Sequence, residues 1–157
     1  GKADAKFASG QGYLGEIKAN NSMNIHIWSE IDRKVAINMT AASGVIKVDS
    51  NKSWQPFETA DIQLNKIFRA TANGNSITIT DDVVLPGKVT PFNEDGTRSY
   101  DPLIWANWQT VEFGAMELKK GDNIIFIELT NEIPFTGNIT KGSGTINIDK
   151  FDIVYLD

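Results

Sequence analysis

Tyr100, Trp105 and Trp108 stand close together in the stretch YDPLIWANWQTVEF, which holds two of the chain's four tryptophans. An indole presents a broad apolar face and one polar edge, so it can stack on the C–H face of a sugar or close the end of a core. Trp105 and Trp108 lie three positions apart, and in a regular strand an odd spacing sends side chains to opposite faces. One ring can then enter the core while the other needs a different partner. A ring alone does not hold a sugar, whose hydroxyls require amides and carboxylates. The C-terminal stretch INIDKFDIVYLD carries such groups. Period-two alternation puts Asn147 and Asp149 on one face, opposite Ile146 and Ile148, with Asp152 following. Three uses are open to that face. It can simply be solvated, Asn147 can hydrogen-bond hydroxyls, or Asp149 can hold a hard cation such as calcium, which takes carboxylate and carbonyl oxygens.

The remaining chemistry-bearing residues narrow the function classes. The single histidine, His26, falls in an alternating run and reads as an exposed strand residue; one imidazole cannot build a multi-histidine metal site. The acidic pairs Asp81-Asp82 and Glu94-Asp95 sit in turn-like surroundings, and sequence neighbours on a strand diverge, so they do not form the facing carboxylates of a glycosidase. Nothing else in the spacing places such a pair, and no enzyme activity is expected. Without cysteine there is no disulfide framework, thiolate zinc site or thiol nucleophile. A net charge of -5 argues against a nucleic-acid partner, whose affinity rests on many Lys and Arg contacts to phosphate. No apolar run approaches the roughly 20 residues that span a bilayer, and no basic-plus-apolar leader opens the chain; membrane insertion is not expected.

The elements that must position these groups read as strands. Met23, Ile25 and Ile27 alternate with Asn24, His26 and Trp28, and the same period recurs in KVAINM, SITIT, TVEF and TINID. NIIFIEL is apolar at nearly every position, as in a central strand covered on both faces. Turn chemistry separates these runs at Asn73-Gly74, Pro86-Gly87, Gly121 and Gly142. At 157 residues, with many short strands so spaced, the expectation is one all-β domain over residues 1-157, an antiparallel sandwich or barrel. ETADIQLNKIF dissents: Ala60, Leu64, Ile67 and Phe68 fall at helical spacing, enough for about one turn before a hairpin around Asn73-Gly74. The stretch from Pro86 to Pro102 lacks a period, and loops of that length in a compact domain are often functional. Trp54 and Phe57 fall in another loop, where they suit a core edge or a ligand equally.

The order of the segments adds more than their types. SGQGYLGEI, SMNIHIW, KVAINMTAAS, ATANGNSITI, WANWQTVEFGAMELKKGDNIIFIEL and INIDKFDIVYLD, in that succession, resemble the carbohydrate-binding modules of families 35 and 6. The resemblance runs from about Ala8 to the C-terminus and implies a β-sandwich of jelly-roll type. It also implies a glycan site in the loops at one end of the sandwich. Trp105 matches the family's platform tryptophan, Asn147 the asparagine that opens the last strand and bonds hydroxyls, and Tyr13 to Glu16 the early segment lining the same cleft. Tyr100 is a further contact candidate. Glu16 stands where family 6 modules often place a second ring. The family's first-strand Glu-x-Glu pair, which helps hold a structural calcium together with the counterpart of Asp149, has no match in GKADAKF.

The expectation is therefore non-catalytic binding of a poly- or oligosaccharide by Trp105, Asn147, Tyr13, Glu16 and Tyr100, with a structural calcium at Asp149. The partners implied are the glycan and other modules of a larger secreted or surface protein, bacterial in origin. The alternative is an interaction domain of a cell-surface adhesin that binds no sugar.

Overall fold

The computed structural model describes residues 14–17, 20–44, 46–47, 58–77, 79–98, 101, 104–130 and 146–156, excepting the side chains of Glu16, Ile46, Lys47 and Ser76. Tyr13, Tyr100, Trp54 and Phe57 lie outside the described residues. In chain order the strands are β1 (Leu14–Ile17), β2 (Ser22–Ser29), β3 (Arg33–Ser43), β4 (Ile46–Lys47), β5 (Glu58–Thr59) and β6 (Ile62–Gln63). A single helical turn, α1 (Leu64–Ile67), precedes β7 (Phe68–Ala72), β8 (Asn75–Ser76) and β9 (Val84–Leu85). A 3-10 turn at Ile104–Ala106 leads into β10 (Gln109–Leu118), β11 (Gly121–Leu129) and β12 (Ile146–Tyr155).

Two four-stranded antiparallel sheets dominate, one ordered β1-β12-β3-β10 and the other β2-β11-β7-β8. Their facing sides supply one core. Val35, Ile37 and Met39 of β3 and Phe113 of β10 meet Ile125 and Ile127 of β11 and Phe68 of β7, all fully or almost fully buried. Phe113 links the sheets directly, its ring meeting Phe68 edge-on at 5.4 Å between centroids and Phe151 of its own sheet at 5.8 Å. Such offset contacts suit the ring quadrupoles better than face-to-face stacking. The all-β sandwich is as the alternation requires. No helix of the described residues is long and apolar enough to cross a membrane.

Local expectations meet mixed outcomes. The helical turn forms where Leu64 and Ile67 bury their side chains. The hairpin turns at Asn73 (φ 50°) and Gly74 (φ 81°), positive values that an Asn-Gly pair adopts readily and that match the twist of the flanking strands. Both acidic pairs lie exposed in turns. Two expectations need correction. NIIFIEL is central in its sheet, between β2 and β7, but it is covered on one side only: Ile125, Ile127 and Leu129 are buried, while Ile124 is 44% exposed. Asn147 and Asp149 do not follow simple alternation, because the β12–β3 register slips between Ile148 and Lys150. Ile148 pairs with Ala41 and Lys150 with Thr40, so Asp149 is the extra residue of a bulge.

Candidate functional site at one end of the sandwich

The ends of the sandwich differ in what closes them. At one end, β10 turns into β11 through Lys119 and Lys120, and Gly121 takes φ 102°, where a side chain would be strained. At the other end lie Ser43, Ile146, the start of β10 and the 3-10 turn carrying Trp105.

Trp105 is not on a strand, so the parity argument for Trp105 and Trp108 does not apply; Trp108 sits just before β10. In the 3-10 turn both neighbours of Trp105 are buried, Ile104 completely and Ala106 almost so. The two apolar residues anchor the turn inward and leave Trp105 between them half-buried, neither sealed in the core nor fully in solvent. Ile104 N–H donates to the Asp101 carbonyl at 3.2 Å, which closes the chain into the turn.

Asn147, at the start of β12, is 5% exposed. Its Nδ2 donates to the Trp105 carbonyl at 3.2 Å. The structure thus brings together two candidates 42 residues apart in sequence. What it shows of Asn147 is a hold on the backbone of the tryptophan turn. Glu16 lies in β1, which pairs with β12 through Leu14–Ile148 and Ile17–Ile146, so its backbone is on the strand beside Asn147.

Residues that no sequence pattern marked complete the end. The long segment after Pro86 is not a free loop. Gly87 N–H donates to Asp61 Oδ1 at 2.7 Å, Lys88 N–H to Thr59 Oγ1 at 2.8 Å and Thr59 N–H to the Lys88 carbonyl at 2.8 Å. A Cβ at Gly87 would stand 2.0 Å from the Thr59 carbonyl oxygen, so only glycine permits this approach. Asn107 Nδ2 makes a long contact of 3.5 Å to the Gly87 carbonyl, tying the docked segment to the chain just past Trp105. Lys88 Nζ meets Asp101 Oδ2 at 2.6 Å in a part-buried ion pair, again within a few residues of the tryptophan turn. Farther along, Arg98 lies 3.9 Å from Glu58 and over the Phe92 ring at 5.0 Å. The Pro86-Gly87 pair was a legible turn signal, but nothing in the sequence joins Lys88 to Asp101.

The metal expectation finds limited donors. Among the described residues no group of three His, Asp or Glu side chains converges. Asp149 is half-buried in its bulge, and calcium takes six to eight oxygens. The described carboxylate and imidazole side chains alone do not compose the site. Next to it, the Lys150 ammonium is raised above its ordinary pKa, first by its hydrogen bond to Asp152 and to a lesser degree by the charge of Asp149.

No protein-family model matches this sequence, and no match is found among curated proteins. Solved structures do match. A Xyl-CBM35 module in complex with a glucuronic acid containing disaccharide superposes with a TM-score of 0.54 at 20% identity, over 95% of this chain and 77% of that one. The CBM35 from Cellvibrio japonicus Abf62 gives 0.52 at 18% identity, over 95% and 77%. A Podospora anserina GH26-CBM35 beta-(1,4)-mannanase gives 0.50 at 16% identity over 96% of this chain, which corresponds to 23% of that larger protein. The fold is that of family 35 carbohydrate-binding modules.

Proposed function

We propose that this chain is a non-catalytic carbohydrate-binding module whose glycan site is the end of the sandwich bearing Trp105. The observation that carries the proposal is the half-buried Trp105, lifted between two buried neighbours on a 3-10 turn and held by Asn147, in a fold shared with family 35 modules. An indole so placed suits stacking on a sugar's C–H face. Asn147 fixes the backbone behind the ring, and the part-buried Lys88–Asp101 pair lies nearby in the chain as a source of hydrogen bonds. Tyr13 and Glu16 remain assigned to the same cleft by resemblance, and Tyr100 stays a further contact candidate from the sequence. The module serves a larger secreted or surface protein, and because each contact to a sugar gains little after desolvation, binding by one copy is weak and multivalency strengthens it.

Calcium enters as a structural ion to which Asp149 contributes one carboxylate; further ligands would have to come from beyond the described side chains. The test is a glycan array probed with the wild-type chain in calcium and again in chelator, beside Trp105→Ala. Binding to one glycan class, lost in Trp105→Ala while its far-ultraviolet spectrum and melting midpoint stay near wild type, is the expected result. Equal binding by Trp105→Ala would remove the platform assignment, and silence across the array from a folded chain would shift the reading to an interaction domain. A fall in melting temperature with chelator supports the ion; an unchanged midpoint removes it.

A further inference from the structure

The two sheets have four edges, and three carry the features that discourage edge-to-edge association. β8 is two residues long, and β1 is four with an irregular register. β10 carries Glu112 and Glu117, breaks register between Glu112 and Gly114, and is approached by Ile79 and by Thr80 N–H, which donates to the Phe113 carbonyl. Among the described residues, β2 has none of these. Its eight residues, SMNIHIWS, pair with β11 in unbroken register and include no proline, lysine or acid.

The backbone phase of that edge follows from one hydrogen bond. Leu129 N–H donates to the Asn21 carbonyl at 3.0 Å, and the register places those two residues opposite each other. Hydrogen-bonded pairs in an antiparallel ladder recur at every second residue. Ile25 and Ile27 therefore turn their backbone groups toward β11, whereas Ser22, Asn24, His26 and Trp28 turn theirs outward. The core is also incompletely closed on this side. Met23, Ile25 and Ile27 are only partly buried, while Ile125 and Ile127 on the next strand are fully so. On the outer face Trp28 is 68% exposed.

We propose that β2 pairs with β2 of a second copy of this chain, antiparallel about a two-fold axis through Ile25, joining two four-stranded sheets into one. The occupant is a second copy because the strand complements itself. This register sets Met23 opposite Ile27 and Ile25 opposite Ile25 on the inner face, so apolar meets apolar throughout. On the outer face it sets Asn24 opposite His26 and Ser22 opposite Trp28. No like charges face each other across the pair, which would otherwise oppose identical strands. Centring on His26 instead would set Met23 against Ser29, whose hydroxyl is committed to the Ile31 carbonyl at 2.7 Å. The outward backbone groups of Asn24 and His26 form the new ladder. The axis reverses strand direction, so the two Trp105 ends point opposite ways and the dimer presents its binding ends to two separate surfaces.

Sedimentation velocity over two decades of protein concentration tests this, and because it reads mass it stands or falls independently of sugar binding. Wild type is expected to shift from monomer to dimer; a monomer at every concentration overturns the proposal. N24K with H26K, both on the exposed face, puts lysine opposite lysine twice and should give a folded monomer. N24K with H26E puts opposite charges together twice and should restore the dimer. Dimerisation of N24K/H26K equal to wild type, or failure of N24K/H26E to dimerise, would each overturn the interface.

Discussion

Each end of the sandwich is closed around one buried asparagine, and the two do different work. Asn123, at the tight-turn end, is fully buried and spends its amide on backbone groups and on the Asn73 side chain. Its Oδ1 accepts from Lys119 N–H at 2.8 Å and Asn73 Nδ2 at 2.9 Å, and its Nδ2 donates to the carbonyls of Lys119 at 2.8 Å and Gly121 at 3.0 Å. Asn73 in turn accepts from Ile124 N–H at 2.9 Å. One side chain thus locks the β10–β11 turn to the β7–β8 hairpin. Asn147, at the other end, donates to the Trp105 carbonyl on a turn that carries a half-buried ring. The first network is internally satisfied and serves rigidity. The second positions a group that has apolar surface left to offer. A buried amide is a clamp in both places: one ties two turns together, the other holds the turn that carries Trp105.

The contrast can be broken from either side. Asn123→Ala would leave the Lys119 N–H and the carbonyls of Lys119, Gly121 and Ile27 short of partners, at a cost of about 3 kcal/mol. Urea unfolding should show that loss, while the folded fraction binds glycan like wild type; a drop in binding would mean the two ends are coupled. Gly87→Ala drives a methyl into the Thr59 carbonyl and should cost about 2 kcal/mol, with binding weakened because the docked segment behind Trp105 must shift. Unchanged midpoint and binding would show that the close approach is dispensable. Asn147→Ala should cost about 1 kcal/mol of stability and weaken binding roughly tenfold, since the ring is left less firmly held. Calorimetric titration separates that outcome from simple unfolding.

The smallest effect belongs to Asp32, beside the tight turn. Its pKa is lowered, first by the Lys120 N–H bond at 2.8 Å, which outweighs an opposing desolvation, with a lesser lowering from Lys119. A carboxylate lowered in the folded state contributes its stability above the ordinary carboxylate range and loses it as the pH falls through the folded value. Asp32→Asn should therefore lower the melting midpoint slightly at neutral pH and flatten the acid side of the stability profile. An unchanged acid limb would show that this exposed contact contributes nothing.

Much of the scaffold was legible in the chain. β2, β3, β10 and β12 announce themselves by alternation, Asn73-Gly74 by turn chemistry, and α1 by the spacing of Leu64 and Ile67. Of the candidate site, the sequence singled out Trp105 and Asn147 separately, and the structure joins them by a hydrogen bond. Their mutual geometry was not legible. Parity arguments assumed strand at Trp105, where the chain instead takes a 3-10 turn, and continuous alternation at Asp149, where it bulges. Neither event leaves a compositional trace, because a one-residue slip changes which face a side chain meets without changing any residue type.

Side-chain pattern therefore determined the strands and the turns, since period and turn residues act within a few positions of the chain. Tertiary structure alone decided that Asn147 reaches Trp105, that Gly87 abuts Thr59, that Lys88 finds Asp101 and that NIIFIEL is covered on one side. Those outcomes depend on which strands lie beside which, and on what the long segment after Pro86 docks against. Distances across a sandwich are set by packing of the whole core, and no local stretch of sequence carries them.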